Sequence, residues 1–130
     1  MQLTARQTER VARVLLLADE EAARNGDARV GTAHLLLALL RDERDHDGGP
    51  LDGVDVDDVR AELARRRGTH RTASRYRPWT PGAVAALDTA VRVAGDEPVG
   101  VRHLLRGVLA DRADDAAQVL RRFGVGVAAC

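Results

Sequence analysis

Three features of this 130-residue sequence predict an all-α fold, built from two pseudo-symmetric helical repeats packed as one compact domain. Apolar residues recur at helical rather than alternating spacing. Residues that start and stop helices bracket those stretches. A seven-residue pattern, V-G-x-x-H-L-L, occurs once in each half, at Val30 to Leu36 and at Val99 to Leu105. Composition agrees: 45% of residues are apolar, yet Tyr76, Trp79 and Phe123 are the only aromatics. Leu, Val and Ala must therefore fill the core, which suits helices better than a sandwich or barrel.

The first helix is expected from Thr8 to Ala23, with Val11, Val14, Leu15, Ala18 and Ala22 on one face, Thr8 as N-cap and Asn25-Gly26 as the stop. Thr32 is expected to cap a second helix, whose apolar stripe is Leu35, Leu36, Leu39 and Leu40. Gly48-Gly49-Pro50 then breaks the chain and shortens the third helix of the first repeat. Asp55 caps a further helix reaching Arg67, with Asp57 and Asp58 in its first turn and arginines in its last, both ends suiting the macrodipole. Periodicity vanishes between Thr69 and Trp79, where Ser, Thr, Arg and Pro dominate. The pattern restarts at Thr80-Pro81, an N-cap followed by proline at the first helical position, and continues through Ala83, Val84, Leu87, Ala90, Val91 and Ala94. A last helix is expected from about Asp114 to Phe123, ending at Gly124. These boundaries divide the chain into repeat one at about 4–67, a linker at about 68–79 and repeat two at about 80–125. Neither repeat buries its apolar stripe alone, so the two are expected to pack face to face about a pseudo-twofold axis.

A threonine-capped helix, then V-G-x-x-H-L-L, then a helix ending near L-x-x-[FL]-G-V, present twice around a basic linker, resembles the double Clp N-terminal repeat family. That domain precedes the ATPase rings of ClpC/ClpA-type AAA+ unfoldases. The resemblance runs over Thr8 to Leu40, Asp52 to Leu63, Thr80 to Leu109 and Ala116 to Val125. It implies a surface that docks adaptor proteins and peptides. No G-x-x-x-x-G-K-[ST] is present and no lysine occurs at all, so a stand-alone version without ATPase modules is expected. Family members that bind phosphorylated arginine pair the capping threonine with a glutamate before the motif histidine. Here the threonines match at Thr8 and Thr80, but Ala33 and Arg102 occupy the glutamate positions, which argues against phosphoarginine. Members that bind cyclic-peptide antibiotics carry an aromatic before the second Thr-Pro, matched by Trp79, and a basic residue shortly after, where Val84 stands. Gln7 occupies the corresponding aromatic position of the first repeat.

Several function classes are disfavoured. Twenty basic and twenty acidic residues cancel, so no global field draws the chain to nucleic acid or an anionic membrane. The polar start and the lack of a long apolar run fit a cytoplasmic protein without a membrane span. Cys130 is the single cysteine, and His34 and His103 lack ligands at metal spacing, so no metal, cofactor or catalytic residue is expected. A structural hydrogen bond at the repeat interface accounts for each histidine. Thr8 and Thr80 serve as caps, and as ligand contacts where helix N-termini attract anions. Trp79 is either a staple at the helix entry or an exposed anchor. Arg65, Arg66, Arg67, Arg71, Arg75 and Arg77, interleaved with Tyr76 and Trp79, form a solvated linker or, alternatively, a nucleic-acid contact.

The sequence therefore predicts a non-enzymatic peptide- and adaptor-binding module of the Clp protease system. Its candidate partners are Clp unfoldase or protease components, adaptors and peptides. One version is a decoy that sequesters cyclic-peptide antibiotics aimed at the unfoldase. The candidate ligand contacts are Thr8, Ala33, Trp79, Thr80, Val84 and Arg102. The alternative is a small nucleic-acid-binding protein acting through the Arg65 to Arg77 segment.

Overall fold

A computed structural model describes residues 8–46, 49–68 and 76–125. Gln7, Arg71, Arg75, Cys130 and most of the expected linker lie outside them. Six helices run α1 (Glu9–Asn25), α2 (Thr32–Arg44), α3 (Val56–Arg67), α4 (Pro81–Ala94), α5 (Val101–Ala110) and α6 (Asp115–Arg122). Strand structure among the described residues is limited to one isolated parallel bridge, Val30 to Trp79.

The expected caps form where the sequence places them. Thr8 accepts from the Val11 N–H at 3.2 Å and Thr80 from the Ala83 N–H at 3.1 Å, each satisfying a first-turn donor. Asp55 accepts from the Asp57 N–H at 2.8 Å. At the C-terminus of α1, Gly26 adopts φ 73°, a left-handed conformation that lets its N–H reach the carbonyls of Ala22 and Ala23. One expectation is corrected: the N-cap of α2 is Gly31, and Thr32 is already the first helical residue. The segment after α2 is also shortened as expected. Residues 49–54 form successive turns instead of a helix, with Leu51 buried and its N–H bonded to the Glu43 carboxylate at 2.9 Å.

Packing is reciprocal. Within each half the first two helices form a close pair, α1 with α2 and α4 with α5; across the halves α2 packs on α5, α2 on α4 and α1 on α5. The core is aliphatic, with Leu35, Leu36, Leu87, Leu104, Leu105 and Leu120 its largest fully buried side chains. In the second half α4 and α5 approach until the Ala86 carbonyl lies against Gly107, where a β-carbon would sit 2.1 Å from that oxygen. The third helix of each half packs on the second, α3 on α2 and α6 on α5, and α3 and α6 meet each other across the halves.

Buried carboxylates clasped by arginine fasten the helices. Asp42 of α2 accepts from Arg10 at 2.7 Å and Arg13 at 2.9 Å, both on α1. Glu21 of α1 accepts from Arg41 of α2 at 3.0 Å and from two nitrogens of Arg60 of α3 at 3.1 Å. Burial pushes the Glu21 carboxyl up, but the Arg60 hydrogen bonds and the charges of Arg60, Arg41 and Arg24 outweigh it and hold its pKa below the usual value. Glu62 of α3 accepts from Arg122 of α6 at 2.6 Å.

Candidate functional site

The two repeated motifs build the same local device. Gly31 and Gly100 are extended N-caps with no side chain to offer the helix, and the histidine three residues on supplies the missing acceptor. His34 Nδ1 accepts from the Gly31 N–H at 2.8 Å, and His103 Nδ1 from the Gly100 N–H at 2.9 Å. This is the backward-reaching half of a capping box, with imidazole in the place of the usual carboxylate. An Nδ1 that accepts leaves the proton on Nε2. In the first repeat that Nε2–H donates to Asp27 Oδ2 at 2.6 Å, and the pair is buried. Burial lowers the His34 pKa, with Arg67 adding to the effect and the Asp27 hydrogen bond opposing it, so the ring is neutral. Asp27 is pushed up by burial but drawn down further by Asn25, His34 and Arg67, so it stays ionised.

This geometry decides what the histidines can do. Both nitrogens of His34 are occupied within the fold, leaving no lone pair for a substrate proton or a metal. No group of three or more metal-ligating side chains exists among the described residues. Each ring bonds the glycine of its own motif, so the expected hydrogen bond at the repeat interface is corrected to one within each repeat.

The capping threonines cross between repeats. The Thr8 N–H donates to the Val99 carbonyl at 3.1 Å and the Thr80 N–H to the Val30 carbonyl at 2.9 Å. Val30 in turn donates to the Pro78 carbonyl at 3.0 Å. Each threonine thus sits beside the motif glycine of the other half, which sequence spacing alone could not reveal. Trp79 is half-buried and packs on the core, its backbone paired with Val30 in the parallel bridge. Val84, one turn into α4, and Arg102, in the first turn of α5, are exposed. Ala33 is 4% exposed and lines a cavity between α1, α2 and α3. The six candidate contacts therefore divide into a Trp79–Thr80–Val84 group, Thr8 at Val99 with Arg102 in the first turn of the helix that follows, and Ala33 in the cavity wall.

Residues 2–48 match the Clp repeat (R) N-terminal domain family. The chain carries a Clp N-terminal repeat domain. It is 32% identical over 125 residues to the chaperone protein ClpB of Oceanobacillus iheyensis, and 32% identical over 125 residues to the negative regulator of genetic competence ClpC/MecB of Bacillus subtilis. Each match covers 92% of this chain but only 16% and 15% of those relatives. Among solved structures, the N-terminal domain of the chaperone ClpD from Arabidopsis thaliana superposes with a TM-score of 0.80 at 24% identity, covering 99% of this chain and 94% of that one. The Hsp104 N-terminal domain from Candida albicans gives 0.72 at 15% identity, over 95% and 85%. Both likenesses establish the all-α Clp N-domain fold.

In this Clp N-domain the basic segment is largely spent on the fold. Among its described arginines, Arg65 pairs with Glu62, Arg66 contacts Glu62 at 3.3 Å and Gln118 at 2.8 Å, and Arg77 bonds Asp19 of α1 at 3.0 Å, while Arg67, 3.8 Å from Asp27, makes no hydrogen bond to it. Paired guanidiniums offer phosphates little, which weakens the nucleic-acid alternative. No helix among the described residues is long and apolar enough to cross a membrane.

Proposed function

We propose that this chain is a non-catalytic docking module that binds adaptors and peptides of a Clp-type unfoldase, as one double-repeat domain with repeats at about 4–67 and 80–125. The observation that carries this reading is the pair of cross-locked helix starts. They keep the family motif in both halves, with each histidine's Nδ1 committed to the backbone of its own motif glycine. The Trp79–Thr80–Val84 group and the Thr8 and Arg102 positions are its contact surfaces, and a cytoplasmic setting with the unfoldase follows from it. Sequestration of cyclic-peptide antibiotics is the more specific version, supported by Trp79 at the aromatic position before the second Thr-Pro.

The test uses the purified chain with the Clp unfoldase and adaptors of the same organism, measured by biolayer interferometry, together with degradation of an adaptor-delivered substrate. Saturable adaptor binding that weakens in Val84→Asp is expected, and added chain slows degradation if it acts as a decoy. A cyclic-peptide ligand of the full-length unfoldase, titrated calorimetrically, tests sequestration. Absence of adaptor and unfoldase binding, alongside salt-sensitive binding of a single-stranded oligonucleotide, would replace this reading with the nucleic-acid one.

A further inference from the structure

The cavity between α1, α2 and α3 encloses about 380 Å³, within the range of about 300 to 1,000 Å³ typical of ligand sites. Its walls include Ala33 and Leu37 of α2 and Ala61 and Ala64 of α3, which leave room for aliphatic groups. Its mouth carries Glu21, Arg24, Asn25, Asp57, Arg60 and Arg67. The acceptors there are already used. Glu21 takes hydrogen bonds from Arg41 and Arg60, and Asp57 takes one from Arg60 at 2.6 Å. The donors are not. Arg24, 63% exposed, comes no nearer than 3.9 Å to Glu21, and Arg67, 29% exposed, no nearer than 3.8 Å to Asp27; neither makes a hydrogen bond there. The two lie in the last turns of α1 and α3, ends tied together by the Asn25 side-chain amide donating to the Gly68 carbonyl at 3.3 Å. That amide also donates to Asp27 at 2.9 Å, while its own oxygen has no partner among the described residues.

What the mouth offers is thus two guanidiniums held only by long ion pairs and one amide oxygen without a partner among the described residues, beside an aliphatic recess. A carboxylate would meet the guanidiniums, an N–H the amide oxygen, and a small aliphatic side chain the recess. One chemical object presents all three together: the last residue of a polypeptide. A fatty acid supplies the carboxylate and the chain but no N–H. We infer that this cavity binds the free C-terminus of a peptide ending in an aliphatic residue, with Arg24 and Arg67 holding the carboxylate. The inference rests on the peptide-docking reading above and names the feature recognised at a site separate from Trp79 and Val84.

The test is fluorescence anisotropy on the full chain with an N-terminally labelled octapeptide ending in Leu, as the free acid and as the C-terminal amide. The free acid is expected to bind, and the amide at least about tenfold more weakly, as loss of a charged hydrogen-bonded contact implies. Arg24→Gln should weaken the free acid by a similar factor and leave the amide unchanged, whereas Arg92→Gln, the same charge change on α4, should alter neither. Ala64→Trp, checked for native helicity by circular dichroism, should abolish binding by filling the recess. Equal affinity for acid and amide, or binding that survives both variants, overturns the inference. So does decanoate binding in place of the peptide, since the shared chemistry would then belong to a fatty acid. If the peptides fail while adaptors still bind, only this inference falls; if adaptors fail as well, the docking reading falls with it.

Discussion

His34 and His103 occupy the same place in two copies of one motif, yet their surroundings diverge. Both caps are alike, with Nδ1 taking the N–H of the preceding glycine. On the other side of the ring, His34 meets Asp27 at 2.6 Å in a buried pair, whereas His103, 20% exposed, lies 3.6 Å from the exposed Glu97. The shared part is the backbone cap, which every helix beginning with glycine needs. The different part is the carboxylate each ring meets: Asp27 is buried with Arg67 of α3 at 3.8 Å, whereas Glu97 is 77% exposed. Helix contacts differ in the same way. Gly107 follows Ala38 by the 69 positions that separate the motif glycines, and only the second repeat shrinks to glycine to admit a carbonyl of the partner helix.

The largest effect should come from Gly107→Ala. Its β-carbon meets the Ala86 backbone, which cannot rotate away, so a loss of about 3 kcal/mol is expected by urea denaturation, at the upper end of overpacking costs. Ala38→Gly should cost about 1 kcal/mol through helix propensity alone, and equal losses would show that the two helix pairs are equally close. His34→Ala removes a cap and one hydrogen bond to the buried, ionised Asp27, for about 2 kcal/mol; His103→Ala removes little beyond the cap, for about 1 kcal/mol. A reversed order in thermal unfolding would dissolve the distinction between the two rings.

The third effect is a pH dependence in which His34 of the first repeat leads. Folding holds His34 below its ordinary 6.5, so the unfolded chain takes up protons more readily, and stability must fall as pH drops below about that value. Asp27 and Glu21, also lowered, extend the loss at more acid pH, when the folded state must protonate them. Glu43 and Asp114, raised by burial, act in the opposite sense: they favour the folded state at acid pH and lose that contribution as pH rises through their folded values. Denaturation at pH 7.5 and 5.5 should show a drop that His34→Gln flattens and His103→Gln preserves. The smallest effect is that of Thr8→Ala and Thr80→Ala, about 1 kcal/mol each by calorimetry, since the two caps have the same geometry.

Local chemistry made most of the fold legible. Thr8, Asp55 and Thr80-Pro81 start helices because their side chains or ring act on the next few residues, and Gly26 stops one for a reason equally local. Thr32 misled because a hydroxyl before an apolar run reads as a cap, while the actual acceptor, His34, lies inside the helix. A histidine three positions after each motif glycine was the signal available. The candidate site was less readable. Thr8 and Thr80 act across the repeats, and the facing of Ala33 into the α1–α3 cavity depends on how α3 docks. Nothing within a few residues of Ala33 encodes that arrangement.

The crossed bonds from Thr8 to Val99 and from Thr80 to Val30 also constrain how the chain reaches its native state. A bundle of short helices usually folds fast because its contacts are near in sequence. Here the opening residue of each half closes only on the middle of the other, so loop-closure entropy must be spent before either α1 or α4 is anchored. The two halves therefore gain their stability in one concerted event. Fragments separated within 69–75 should fold only on meeting each other, which makes the domain a built-in complementation pair.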